Sequence, residues 1–161
     1  KHIDDLIKPI TIVANRYHSK ITVNDYSIKL PKKNMAIYMA LLSLVKNNYC
    51  EDGKEIGFIN IYNMIEKDFI MLYMEYYEKL HSSNSVLLLK EKERLADKKE
   101  MQRFYTINWV QETRSKINRS LRENLPPHLY AVTQIITSGK YGDKYYGIPL
   151  MKESIDISSF S

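Results

Sequence analysis

The pattern of apolar and polar positions begins with three short β-branched or alternating stretches: Ile10-Thr11-Ile12-Val13-Ala14, Ile21-Thr22-Val23 and Tyr26-Ser27-Ile28-Lys29-Leu30. Residues of this kind suit a pleated, half-buried surface. Asn24-Asp25 lies between two of the stretches as a turn signal, so a small N-terminal hairpin or meander is expected. Pro31 then suits the first turn of a helix, where its missing N–H is no loss. The helix is predicted over 32–48, with Met35, Tyr38, Met39, Leu41, Leu42 and Val45 forming one apolar stripe at spacings of three and four.

A polar, glycine-containing loop over 49–57 precedes Phe58-Ile59, which reads as a short strand, and Asn60, which reads as a helix cap. The next helix, over 61–80, carries Phe69, Tyr73, Tyr76, Tyr77 and Leu80 at helical spacing. Its tyrosines read as core or interface packing. Turn-forming residues at 81–85 break the pattern, and 86–103 resumes as a helix whose alternating charges predict a solvated face. A further helix starts at Thr106 or Asn108, buries Trp109, Val110, Ile117, Leu121 and Leu125, and ends at Pro126-Pro127. Beyond it, 128–137, a Gly-rich turn at 138–144 and 145–150 read as strand, turn, strand.

Charge sharpens this picture because it is uneven. Residues 1–100 hold 16 Lys+Arg against 14 Asp+Glu, residues 101–152 hold 8 against 3, and residues 153–161 hold none against 2. A local excess of cations is the footprint expected of a surface that meets phosphate. Within it, Arg114, Asn118 and Arg122 recur every four residues, with Lys116 and Arg119 nearby, while Ile117 and Leu121 mark the buried side. Arg and Asn can bond base edges, and Lys116 and Arg119 suit phosphates. Lys140 and Lys144 flank the tip of the following hairpin, where a wing touches the sugar-phosphate backbone. The expected fold is therefore α+β, a winged helix-turn-helix over 105–151 with an N-terminal β-hairpin and an inserted helical pair at 75–105. The expected partner is nucleic acid, with DNA ahead of RNA.

The same residues carry a resemblance to a known family. A strand ending in Ile28-Lys29-Leu30-Pro31, a helix through Ala36-Ile37-Tyr38-Met39-Ala40-Leu41-Leu42, and Ser115-Lys116-Ile117-Asn118-Arg119-Ser120-Leu121-Arg122 followed by Ser138-Gly139-Lys140-Tyr141-Gly142-Asp143-Lys144-Tyr145-Tyr146-Gly147-Ile148 resemble the C-terminal winged-helix region of CRISPR-associated ring nucleases. The likeness spans 21–157. A looser similarity to the DNA-binding domains of bacterial response regulators covers the same order, but the helices between 75 and 103 depart from it. In ring nucleases the cyclic oligoadenylate site and the cleavage chemistry lie in an N-terminal Rossmann-like domain, so the resemblance carries no catalytic residue onto this chain. It implies an accessory module, for dimerisation or nucleic-acid binding, of a larger antiviral protein.

Other chemistry is thin. Arg122 and His128 share a spacing similar to the active-site motif of HEPN-type ribonucleases, where Arg stabilises phosphate and His acts as acid or base, but Pro126-Pro127 and the strands beyond do not suit an all-helical nuclease. His2, His18 and His81 lack metal-ligand spacing, and no cofactor motif is present. Cys50 is the single cysteine, which excludes an intrachain disulfide and fits a reducing, cytoplasmic location. No apolar run approaches the ~18 residues of a membrane span. A length of 161 residues fits one domain, and Lys1-His2-Ile3-Asp4-Asp5, without an initiator Met, reads as part of a longer protein. The ordered expectations are a non-catalytic nucleic-acid-binding module, then a dimerisation or protein-interaction domain using the Met- and Tyr-rich helix at 61–80, then a HEPN-like ribonuclease.

Overall fold

A computed structural model describes residues 9–51, 53–60, 63, 69–81, 85–96, 107–139 and 144–160, with the side chains of 94–96 and 107–110 outside that description. Strands β1 (Ile12–Asn15), β2 (Lys20–Val23) and β3 (Tyr26–Lys29) form the expected meander. Its register sets Ile12 opposite Val23 and Ile21 opposite Ile28. A strand's side chains alternate between its faces, so Ile12, Ala14, Ile21, Val23 and Ile28 share one buried face. The tight β2–β3 turn is closed by Asn24, whose left-handed φ of 51° and side-chain acceptor for the Thr11 N–H, at 2.9 Å, both favour asparagine there.

Helix α1 (Lys32–Lys46) packs behind that face. Every residue from 35 to 45 is buried, so α1 is a central helix covered on all sides and not the one-striped helix that apolar spacing implies. It stops at Asn47 and Asn48, the latter at φ 57°. The loop over 49–57 leads to β4 (Ile59–Asn60), and α2 (Phe69–Leu80) returns along α1. Asn60 ends the strand, and the predicted helix over 61–68 lies outside the described residues apart from Asn63.

Tyr73, Tyr76 and Tyr77 on α2 are all buried, with Tyr73 and Tyr77 ring centroids 5.6 Å apart. Helix α3 (Val86–Ala96) follows; the remainder of the predicted helical insertion, 97–105, lies outside the described residues. Its charged run is exposed at Lys90, Lys92 and Glu93, but Glu91 corrects the expectation of a wholly solvated face. Glu91 is buried, with its carboxylate 3.6 Å from Lys33 Nζ and 3.4 Å from the Tyr73 hydroxyl. The exposed pairs Lys79–Glu75 and Lys92–Glu78 contribute little by comparison.

Helix α4 (Ile107–Asn124) packs on α1 and β3 through Thr113, Ile117 and Leu121, with Leu125 buried just beyond its end. The chain then departs from prediction. The stretch expected as a strand from His128 is instead helix α5 (Pro127–Thr133), and only Ile136–Ser138 forms strand β5. The prolines that end α4 also start α5, because Pro127 occupies its first turn with φ preset. The four-residue spacing of buried Leu129 and Thr133 overrides the β-branched character of Val132 and Thr133.

Strand β6 (Tyr145–Gly147) pairs with both β5 and β4, giving a three-stranded antiparallel sheet of order β4-β6-β5. The tail adds β7 (Ile155–Asp156), which pairs parallel to β1 and completes a four-stranded sheet of order β3-β2-β1-β7. Phe160 is buried, packing edge-on against Tyr76 at 5.4 Å. The architecture is α+β, and one hydrophobic cluster runs through both sheets and α1. Among the described residues no helix is long and apolar enough to cross a membrane.

Tyr38 joins the central helix to α5. It is fully buried, its hydroxyl donates to the Thr133 carbonyl at 2.6 Å, and burial pushes the phenol's pKa far above its ordinary value. Tyr38→Phe orphans that carbonyl and is expected to destabilise the fold by about 1–2 kcal/mol, read as a thermal-midpoint fall of about 2–8 °C. An unchanged midpoint would show that the bond contributes nothing net.

Candidate nucleic-acid interface

Helix α4 gathers most of the predicted contact residues, but it sorts them onto two faces. Lys116, Arg119 and Arg122 are exposed, three residues apart, on the side opposite Ile117 and Leu121. None of the three forms an ion pair among the described residues. A shallow depression of about 430 Å³, bordered by Gln111, Glu112, Ser115, Lys116 and Arg119, runs along this face. Glu112 and Glu123 are also exposed on α4, so the cations are not alone there.

The outward stripe of Arg114, Asn118 and Arg122 does not form. Asn118 is buried, with 9% of its surface exposed, and its amide grips one backbone unit: Nδ2 donates to the Ile135 carbonyl at 2.9 Å and Oδ1 accepts from the Ile135 N–H at 2.8 Å. Arg114 is half-buried. Its Nε donates to the same carbonyl at 3.0 Å, and its guanidinium lies 5.8 Å from the Tyr146 ring centroid. Each step of four drifts about 40° round the helix, so Arg114 and Asn118 lie beside the buried stripe and Arg122 lies further round, toward the open side. The segment leading into β5 covers that flank at 114 and 118 and leaves 122 open.

Asn118 is therefore a structural clamp in place of an exposed base-reading residue, and Arg114 shares that work. Together they pin the residue before β5 to the helix, so the β5–β6 hairpin is fastened to α4 directly although α5 intervenes in the chain. Across the hairpin Thr137 faces Tyr146, and Gly139 turns the chain with φ 96°. Lys144 is half-buried just before β6; Lys140 lies outside the described residues.

A cation not expected from sequence stands beside this sheet. Lys54 Nζ lies 5.2 Å from the Tyr145 ring centroid, a cation–π distance, although it comes from the distant 49–57 loop. No local pattern signals that approach, because only the pairing of β4 with β6 creates it.

Arg122 and His128 are both exposed, on either side of Pro126-Pro127, and no hydrogen bond joins them. His128 sits in the first turn of α5 and not in a strand. His81 bonds the Tyr77 carbonyl through Nδ1 at 2.8 Å and stacks on that ring at 4.1 Å. Among the described residues no three His, Cys, Asp or Glu side chains are grouped to hold a metal ion. No protein-family model, curated protein or solved structure matches the chain.

Proposed function

We propose that this chain is a non-catalytic module of winged-helix type that binds nucleic acid, DNA in preference to RNA, through the outer face of α4 and the β5–β6 hairpin. The observation that carries the reading is the exposed row of Lys116, Arg119 and Arg122, without ion pairs among the described residues, on a helix to which the hairpin is clamped. A helix about 10–12 Å across, with cations along one side, fits the roughly 12 Å width of a major groove. The β4-β6-β5 order, with helices preceding the hairpin, supports the winged-helix reading, with the short α5 standing between α4 and the hairpin. Following the resemblance to ring-nuclease regions, the module would serve as an accessory part of a CRISPR-associated antiviral protein in the cytoplasm.

The test is anisotropy of a fluorescein-labelled duplex DNA, titrated at several salt concentrations. Each phosphate contact released lowers the slope of log affinity against log salt by about 0.9, so Lys116→Gln/Arg119→Gln/Arg122→Gln is expected to flatten it by about 2.7. A slope unchanged in that variant would sink the proposal. Labelled single-stranded RNA in parallel reads the preference.

A second reading, self-association, has its own observation. The tyrosines of α2 are buried and form no external face, but Met71, Val86, Leu87 and Leu89 are each more than half exposed. Sedimentation of the chain at high concentration decides, since a strict monomer would count against a dimer built on them.

A further inference from the structure

A second basic feature lies away from α4 and the hairpin. The β1–β2 turn and the junction of β3 with α1 border a cleft of about 570 Å³, lined also by Leu30, Pro31 and Leu80. Its cationic lining is Arg16, Lys20, Lys29 and Lys32, with His18 beside them, and among the described residues no acidic side chain borders it. None of these cations forms an ion pair among the described residues.

Three details make this cleft more than a solvated basic surface. Lys20 and Lys29 are register partners on adjacent antiparallel strands, on the face opposite Ile21 and Ile28. Like charges placed directly opposite each other destabilise a sheet, so the pair costs the fold some stability. Arg16 Nε is shut away from solvent without a hydrogen-bond partner among the described residues, an arrangement that itself costs stability. Tyr17 presents an aromatic ring 73% exposed, with the Arg16 guanidinium 5.0 Å from its centroid.

The turn carrying these groups is held in place. Tyr17 N–H donates to Asn15 Oδ1 at 2.9 Å, Arg16 N–H to Ser159 Oγ at 3.3 Å, and Ser19, at φ 48°, bonds Leu30 through both its hydroxyl and its carbonyl.

We propose that this cleft binds a nucleotide unit, with its phosphate among Arg16, Lys20, Lys29 and Lys32 and its base stacked on Tyr17. Cations satisfy the phosphate, and an exposed ring beside them supplies the sequence-tolerant stacking on which bases bind. The volume falls within the range of small-ligand sites, about 300–1,000 Å³. The phosphate can belong to a free nucleotide or to a single-stranded nucleic acid.

Two probes separate those sources: ADP by calorimetry, and a 5′-phosphorylated, fluorescein-labelled oligothymidylate by anisotropy, each with the full 161-residue chain. Binding of either probe supports the site, ADP alone indicating a free nucleotide and the oligomer alone a strand. Lys20→Gln/Lys29→Gln is expected to weaken binding about tenfold or more. The same variant is expected to be no less stable than the parent, since it relieves a like-charge pair, and to lose the rise in thermal midpoint that ADP gives the parent. Tyr17→Ala weakens binding without removing it, whereas Lys116→Gln/Arg119→Gln/Arg122→Gln leaves ADP binding intact, so failure here and failure of the α4 interface are distinguishable. The proposal is overturned if neither probe binds at about 1 mM, or if binding survives unchanged in the Lys20/Lys29 variant.

Discussion

Asn118→Ala is expected to lower the unfolding free energy by about 3 kcal/mol, with a thermal midpoint about 6–12 °C below the parent. The Asn118 amide is the partner of both backbone groups of Ile135, in a place closed to water. Removing it leaves the Ile135 N–H buried without an acceptor, while the carbonyl keeps only the Arg114 Nε bond. An orphaned buried group costs about 1–3 kcal/mol, and the vacated amide adds a packing loss. The two roles that can be imagined for Asn118 separate cleanly in this variant. A clamp loses stability, and its effect on DNA binding appears only through the loosened hairpin; a base-reading side chain would lose affinity at an unchanged midpoint. Urea denaturation beside the anisotropy titration measures both, and full stability in Asn118→Ala would remove the clamp from the account.

Gly57→Ala is expected to destabilise the fold by about 2–5 kcal/mol through two additive causes. Gly57 has φ 86°, in the left-handed region, where a side chain costs roughly 1–2 kcal/mol. An added Cβ would also stand 2.5 Å from Val45 Cγ2 and 3.2 Å from Val45 Cα, so either the loop or the central helix must shift, at about 1–3 kcal/mol. Gly53 separates the two causes, because it has φ 71° but, among the described residues, nothing within 4 Å of its would-be Cβ. Gly53→Ala is expected to show the conformational part alone, about 1–2 kcal/mol. Equal midpoints for the two variants would mean that close packing of the 49–57 loop on α1 contributes nothing.

That packing shows where local pattern stops being informative. The three N-terminal strands and their turn follow from residues next to one another: β-branched alternation, and Asn24 able to take a positive φ. The prolines at 126 and 127 end α4 for an equally local reason. Their second effect, starting α5, was hidden by the β-branched residues that follow. Strand β7 was not legible at all, since two residues, Ile155-Asp156, become a strand only because β1 offers them an edge.

The cations of α4 show the same division. Spacing alone placed Lys116, Arg119 and Arg122 away from Ile117 and Leu121, because one turn of helix fixes which residues share a side, and these three are exposed. Spacing treated Arg114 and Asn118 alike, and only the return of the chain at Ile135 turned one into a half-buried tether and the other into a buried clamp. The cleft between the β1–β2 turn and α1 brings Arg16 and Lys32 to one place through strand register. Sequence determines period, caps and turns because those depend on near neighbours. Which polar groups are left to face solvent depends on what packs over them, and that is decided by contacts between residues far apart in the chain.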